Sequence, residues 1–210
     1  MPPSLTLKSF AEILELPLYE YARILREQKY PNREPALFRV PFYQQALSGI
    51  RRFYTSGGQT QELLAAIARI QASPSIEARK SNNIRVLRAF QKSRQARRQL
   101  LPMPASHLRW SFTGIELKYS PELLAQEHQN EKYISYNFRQ EPLPDNIARV
   151  TLELTYSLLQ AKGVKITIAD VEFVDFAQRD KVYRVQRVRQ QTLRHAQETA
   201  KAIVQLWPGI

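Results

Sequence analysis

The hydrophobic period of this chain changes at Leu101-Pro-Met-Pro104, and that change limits the folds open to it. Before this point apolar residues recur at helical spacing, and after it they alternate as in half-buried strands. The expected class is therefore α/β in the α+β sense. A helical region over 1–104 is joined to a small mixed sheet flanked by helices over 105–210. A length of 210 residues allows one large domain or two small ones. With 43% apolar and 24% charged residues the composition is that of a folded globular chain, not a disordered one.

In the first part, Ser9-Phe-Ala-Glu12 has the form of a capping box opening a short helix to about Leu16. Pro17 suits the first turn of a second helix, Leu18 to about Gln28. Pro31, Pro35 and Pro41 mark an irregular connection. A helix from Pro41 to about Ser56 ends at Gly57-Gly58, and another, capped by Thr60, runs to Ala72. Ser75 to Leu100 reads as one helix, with Ile76, Val86, Leu87 and Phe90 on one side and Arg85, Arg88 and Lys92 on the other. The pair of short helices over Leu7–Arg26 has the outline of a helix-turn-helix, but Leu18, Tyr19 and Glu20 at the start of its second helix suit a major groove poorly. An ordinary helical hairpin is the better reading.

In the second part, Leu108 to Tyr119 alternates and is expected to be one strand with a bulge at Gly114. Its expected partner is Lys132 to Arg139, across a polar turn at Gln126–Glu131. Asp145 caps a helix that is apolar on two sides (Ile147, Val150, Leu154, Leu158; Leu152, Leu159) and ends at Gly163. Val164 to Phe176 and Lys181 to Gln186 form a second hairpin around Ala177–Asp180. A last helix, Val188 to Leu206, lines up Leu193, Ala196, Ala200, Ile203 and Trp207.

Charge divides along the same line. Residues 1–100 hold 17 Lys or Arg against 7 Glu, and all four Asp lie after residue 144. The run from Ser75 to Leu100 contains Arg79, Lys80, Arg85, Arg88, Lys92, Arg94, Arg97 and Arg98, with Glu77 its single acid. A solvated helix face usually mixes signs, because Glu–Lys pairs at i,i+4 support it. A face this uniform repels itself and favours a polyanionic partner. Arg187, Arg194 and Lys201, seven residues apart, form a second basic row. Phe38, Phe42, Tyr43, Phe53 and Tyr54 lie among Arg39, Arg51 and Arg52, a mixture suited to single-stranded nucleic acid, although helical spacing makes core packing the commoner cause.

Several chemistries are excluded. No cysteine is present, which removes disulfides and thiolate chemistry and fits a reducing, cytoplasmic compartment. No apolar run reaches the roughly 18–20 residues that span a bilayer, so no membrane partner is expected. Met-Pro-Pro-Ser is not followed by the charged and then apolar stretch of a secretory signal, so none is expected. The six glycines form no phosphate loop, and His107, His128 and His195 have no metal-ligand spacing. His195 reads as a surface or capping residue. Asp170, Glu172 and Asp175 read as a strand end facing water.

The order hairpin, buried helix, second hairpin ending in a hydrophobic residue, an acid, a turn and then Lys181-Val-Tyr183 resembles the core of the PD-(D/E)XK nuclease superfamily, in the style of its RecB-type and CRISPR-associated members. About a third of the chain is covered, Phe112 to Val185. The resemblance implies an acid on one strand and an acid-x-Lys on the next, which together hold magnesium or manganese. Two alignments are open. In one, Glu116 and Lys118 form the acid-x-Lys, but no acid precedes them closely. In the other, Glu122 takes the first acid's place, and Ser135 and Asn137 stand where the second acid and the lysine belong. The second alignment has the better order of elements and lacks the chemistry. Glu116 and Lys118 also suit a simple solvated pair.

The leading expectation is thus nucleic-acid binding by phosphate contacts from the basic helix, with no cofactor. The nuclease-like half then acts as an inactive scaffold, in a setting such as mobile-element or phage-defence machinery. The alternatives are a magnesium- or manganese-dependent nuclease using Glu116, Lys118 or Glu122, and a protein–protein adaptor.

Overall fold

Two left-handed residues, Thr113 (φ 48°) and Gly114 (φ 84°), turn the segment 108–119 back on itself. The expected single strand with a bulge is therefore a hairpin, β3 (Leu108–Phe112) and β4 (Ile115–Tyr119). Positive φ at both positions of a two-residue loop matches the twist of the flanking strands. A Cβ at Gly114 would sit 3.0 Å from the exposed side chain of Val204, which would have to give way slightly. The computed structural model describes residues 2–30, 42–104 and 106–210, with the side chains of Leu18 and Tyr19 left out. The proline connection at Pro31, Pro35 and Pro41, together with Phe38 and Arg39, lies outside the described residues.

The remaining strands also differ from expectation. β5 (Leu123–Glu127) pairs antiparallel with β6 (Asn130–Asn137) around His128 and Gln129, so the turn is tighter than 126–131 and the partner of β6 is not 108–119. The strand β1 (Ser4–Thr6) pairs in parallel with β4, giving a three-stranded sheet in the order β1-β4-β3. A five-stranded sheet runs β2-β5-β6-β7-β8, with β2 at Leu101–Pro102, β7 at Val171–Asp175 and β8 at Lys181–Tyr183. The β7–β8 hairpin forms around the expected polar link, with Arg179 and Asp180 left-handed.

Seven helices are found among the described residues. α1 (Leu7–Leu14) starts earlier than the Ser9 box, because Thr6 is its cap and accepts from the Ser9 N–H. α2 is Leu18–Lys29, α3 is Gln44–Thr55 and α4 is Thr60–Ala72. α5 spans Glu77–Lys92 and stops at Ser93, followed by a 3-10 turn at Gln95–Arg97. The basic run is thus not one helix to Leu100. Val86, Leu87 and Phe90 are buried as expected, whereas Ile76 precedes the helix and is exposed. α6 (Asp145–Ala161) begins after Pro144, which takes the cap position expected of Asp145. α7 (Gln190–Leu206) buries Ala196, Ala200 and Ile203.

The five-stranded sheet separates two cores. Leu124, Tyr133, Val171 and Phe173 join α1, α2, α6, α7 and the three-stranded sheet on one face. Leu123, Ala125, Ile134, Tyr136 and Val174 join α3, α4 and α5 on the other. Alternate strand residues feed opposite cores, as the pleat requires. Each core takes residues from both sides of position 104. The first contains Leu5 to Leu25 alongside the C-terminal helices, so the expected regions 1–104 and 105–210 do not correspond to separate cores.

Candidate nucleic-acid interface

The expected binding residues on and after α5 fall into two groups. Arg88, Lys92 and Arg97 are exposed, and among the described residues they make no ion pair or side-chain hydrogen bond. Lys80 donates to the Gln71 carbonyl at 3.1 Å and stays near the surface. The Arg79 guanidinium lies 5.5 Å from the centre of the Phe42 ring. Arg85 instead reaches back to the Phe138 carbonyl at 2.6 Å, tying α5 to the end of β6.

Arg98 is built into the fold. Its guanidinium donates to both oxygens of Glu127 at 2.8 and 2.7 Å, to Gln95 at 3.0 Å and to Glu172 at 2.6 Å. Glu172 is fully buried, and its second oxygen accepts from Arg184 at 2.6 Å. Burial opposes the Arg98 charge, but the hydrogen bonds and charges of Glu127 and Glu172 outweigh it and raise its pKa further. The same contacts hold the Glu127 carboxyl below the ordinary range.

These pairs place a cationic cleft of about 630 Å³ between the end of α5 and the β7–β8 hairpin, lined by Arg94, Gln95, Arg98, Gln178, Arg179, Lys181, Val182 and Arg184. Five of its eight lining residues are cations and none is a carboxylate. The nearby acids serve as backing. Asp180 accepts from the Arg94 backbone N–H at 2.7 Å and lies 3.6 Å from the Arg94 guanidinium, Asp145 pairs with Lys181 at 2.9 Å, and Glu172 lies buried beneath Arg98 and Arg184. Oriented cations of this kind bind phosphate oxygens. Arg179, Lys181 and Arg184 have no sequence signal of their own, because they lie in and just after the β7–β8 hairpin, far from α5 along the chain.

Arg187, Arg194 and Lys201 are also exposed, but Arg194 and Lys201 sit on α7 in the other layer. Arg194 and Lys201 therefore form no common surface with α5, whose core lies across the sheet.

The residues singled out by the nuclease resemblance are partly brought together. Lys118 and Glu122 line one groove with Lys8, His107, Arg109 and Ser120. Glu116 is outside that lining. Its carboxylate accepts from Ser4 at 2.9 Å and lies 3.5 Å from Arg109 and 3.8 Å from Lys118. The Ser4 hydrogen bond, with those two cations, lowers its pKa. One oxygen of Glu122 is paired with Lys8 and the other accepts from the Tyr136 N–H. Ser135 and Asn137 supply no carboxylate, and the neighbouring Asp175 accepts from Asn137, Leu143 and Ala177. A hard dication needs several oxygens directed at one point. Among the described residues no three His, Asp or Glu side chains are grouped in that way, and those at the aligned positions do not fit a magnesium or manganese ion.

The other acids are not at a wet strand end. Asp170 pairs with Lys132 at 2.7 Å, and Glu172 and Asp175 are fully buried. His195 bonds to the Leu14 carbonyl at 2.8 Å, at the C-terminal end of α1, as a capping residue does. Phe53 and Tyr54 pack against Phe90 in the second core, while Phe42 and Tyr43 face a groove described below. No helix among the described residues is long and apolar enough to cross a membrane. No protein-family model, curated protein or solved structure matches this chain.

Proposed function

We propose that this chain binds nucleic acid through the cationic cleft and the exposed face of α5 beside it. The observation that carries this reading is the cleft's lining of Arg94, Arg98, Arg179, Lys181 and Arg184 with no acid among them. Arg88, Lys92 and Arg97 extend the positive surface along the helix. Arg85 and Arg98 act inside the fold, Arg98 by holding the cleft wall. The sheet serves as a scaffold, and the role in mobile-element or phage-defence machinery implied by the nuclease-like layout belongs to the same proposal.

Binding to a labelled 20-base-pair duplex, and to one of its strands, can be followed by fluorescence anisotropy. A triple reversal, Lys92→Glu, Arg97→Glu and Arg179→Glu, changes only exposed side chains. Each removed phosphate contact and each introduced repulsion is worth on the order of 1 kcal/mol. The expected loss for the triple variant is at least about 100-fold at moderate salt. An unchanged affinity in a variant that unfolds like the parent would refute the proposal.

A further inference from the structure

A second concave site lies at the end of β6. The groove is about 690 Å³, within the range of small-ligand pockets. Its walls come from α1, the start of α3, the β4–β5 link and the end of β6. One wall is aromatic. Phe42 and Tyr43 have ring centres 5.0 Å apart, and Tyr43 and Phe138 are 5.6 Å apart. Phe42 is 38% exposed.

Three cations, Lys8, Arg51 and Arg139, and two acids, Glu12 and Glu122, also line the groove. Lys8 is held by Glu122 and by the Tyr136 carbonyl at 3.2 Å, and its ammonium lies 5.3 Å from the centre of the Phe173 ring. Arg51 donates one N–H to the Glu122 carbonyl at 2.8 Å and has four others. Arg139 pairs with Glu12 at 3.3 Å, but its side chain is 64% exposed. The two acids are thus matched by Lys8 and Arg139, and the Arg51 charge is in excess. Lys118 and Arg109 add two cations in the adjoining groove, which shares Lys8, His107 and Glu122.

An aromatic surface beside cations in one groove matches a ligand with a flat ring at one end and a phosphate at the other. We infer that this groove binds one unpaired nucleotide, with its base against Tyr43 and Phe42 and its phosphate on Arg51, Lys8 and Arg139. Gln44, exposed at the first turn of α3, offers a donor and an acceptor to the base edge. The source of such a nucleotide, a single-stranded end or flap, rests on the nucleic-acid reading above. The site itself does not.

Adenosine 5′-monophosphate titrated into the full chain by calorimetry tests the site alone, with ribose 5-phosphate and adenosine as half-ligands. Saturable binding of the nucleotide is expected, with each half-ligand weaker by about tenfold or more. Stacking losses are typically of that size. Tyr43→Leu and Arg139→Ala should each weaken the nucleotide by about tenfold, and Phe42→Ala serves if Tyr43→Leu fails to fold. The triple reversal at the cleft should leave nucleotide binding unchanged. Absence of saturable nucleotide binding overturns the inference, as does binding that is insensitive to Tyr43, Phe42 and Arg139. Nucleotide binding without duplex or strand binding by the parent counts against the cleft proposal and supports this one.

Discussion

Replacing Arg98 by Met separates a cation that builds the fold from those that face solvent. The substitution keeps an apolar stem and removes four hydrogen bonds, three of them to carboxylates. Glu172 is 0% exposed and keeps only Arg184, whose side chain is 56% exposed. Breaking a buried ion pair by removing one partner costs about 3–5 kcal/mol, because the remaining charge is stranded. Two effects hold this case near the lower limit. Arg184 still neutralises Glu172, and Glu127 at 20% exposure can recover water. The expected cost is about 3 kcal/mol, or a fall in Tm of about 6–12 °C for a chain of this length. Urea unfolding followed by circular dichroism measures it. Arg97→Met, an exposed neighbour, should stay within about 0.5 kcal/mol of the parent. Adding Glu172→Leu to Arg98→Met should recover about 1 kcal/mol or more, since the stranded carboxylate is then gone. An Arg98→Met protein as stable as the Arg97→Met protein would refute the assignment of Arg98 to the interior.

Gly49→Ala should destabilise the chain by about 1–2 kcal/mol. The new Cβ would lie 2.9 Å from Ala66 Cβ and 3.0 Å from Leu87, and this overpacking outweighs the gain in helix propensity. A stabilised variant in the same urea assay would show that α3 and α4 are not in such close contact. Stability should also fall in acid. The Glu127 carboxyl titrates below its ordinary range in the folded chain, so its contribution is complete above the unfolded value of about 4.3 and is lost as pH drops through the lower folded value. Glu127→Gln should flatten the loss of stability between pH 5 and pH 3, and equal losses in parent and variant would contradict the pairing.

Local chemistry made most of the helical part legible. Gly57-Gly58 and Ser73 mark real helix ends, and Val86, Leu87 and Phe90 identify the buried face of α5. The strands were harder for specific reasons. β5 reads Leu-Leu-Ala because both faces of the sheet are covered, so no alternation announces it. β1 has three residues, and its parallel partner β4 is more than a hundred positions away. The Thr113–Gly114 turn lacks the Asn-Gly or Asp-Gly signature, and a β-branched residue rarely takes positive φ. Buried acids misled for a related reason. Glu172 looks like a surface residue until Arg98, 74 positions away, is folded onto it. The cleft follows the same logic. The sequence showed a basic run up to Arg98, while Arg179, Lys181 and Arg184 become part of the site only when the β7–β8 hairpin closes beside it.

The most direct test of the central claim is the salt dependence of duplex binding, by anisotropy from about 50 to 300 mM salt. Each phosphate neutralised contributes about −0.9 to the slope of log K against log salt. With Arg88, Lys92, Arg97 and Arg179 as the exposed cations of this surface outside any ion pair among the described residues, a slope of about −4 is expected. The triple reversal at Lys92, Arg97 and Arg179 should reduce its magnitude by about 3. A slope near zero in the parent, or the same slope in parent and variant, would contradict phosphate binding at this surface.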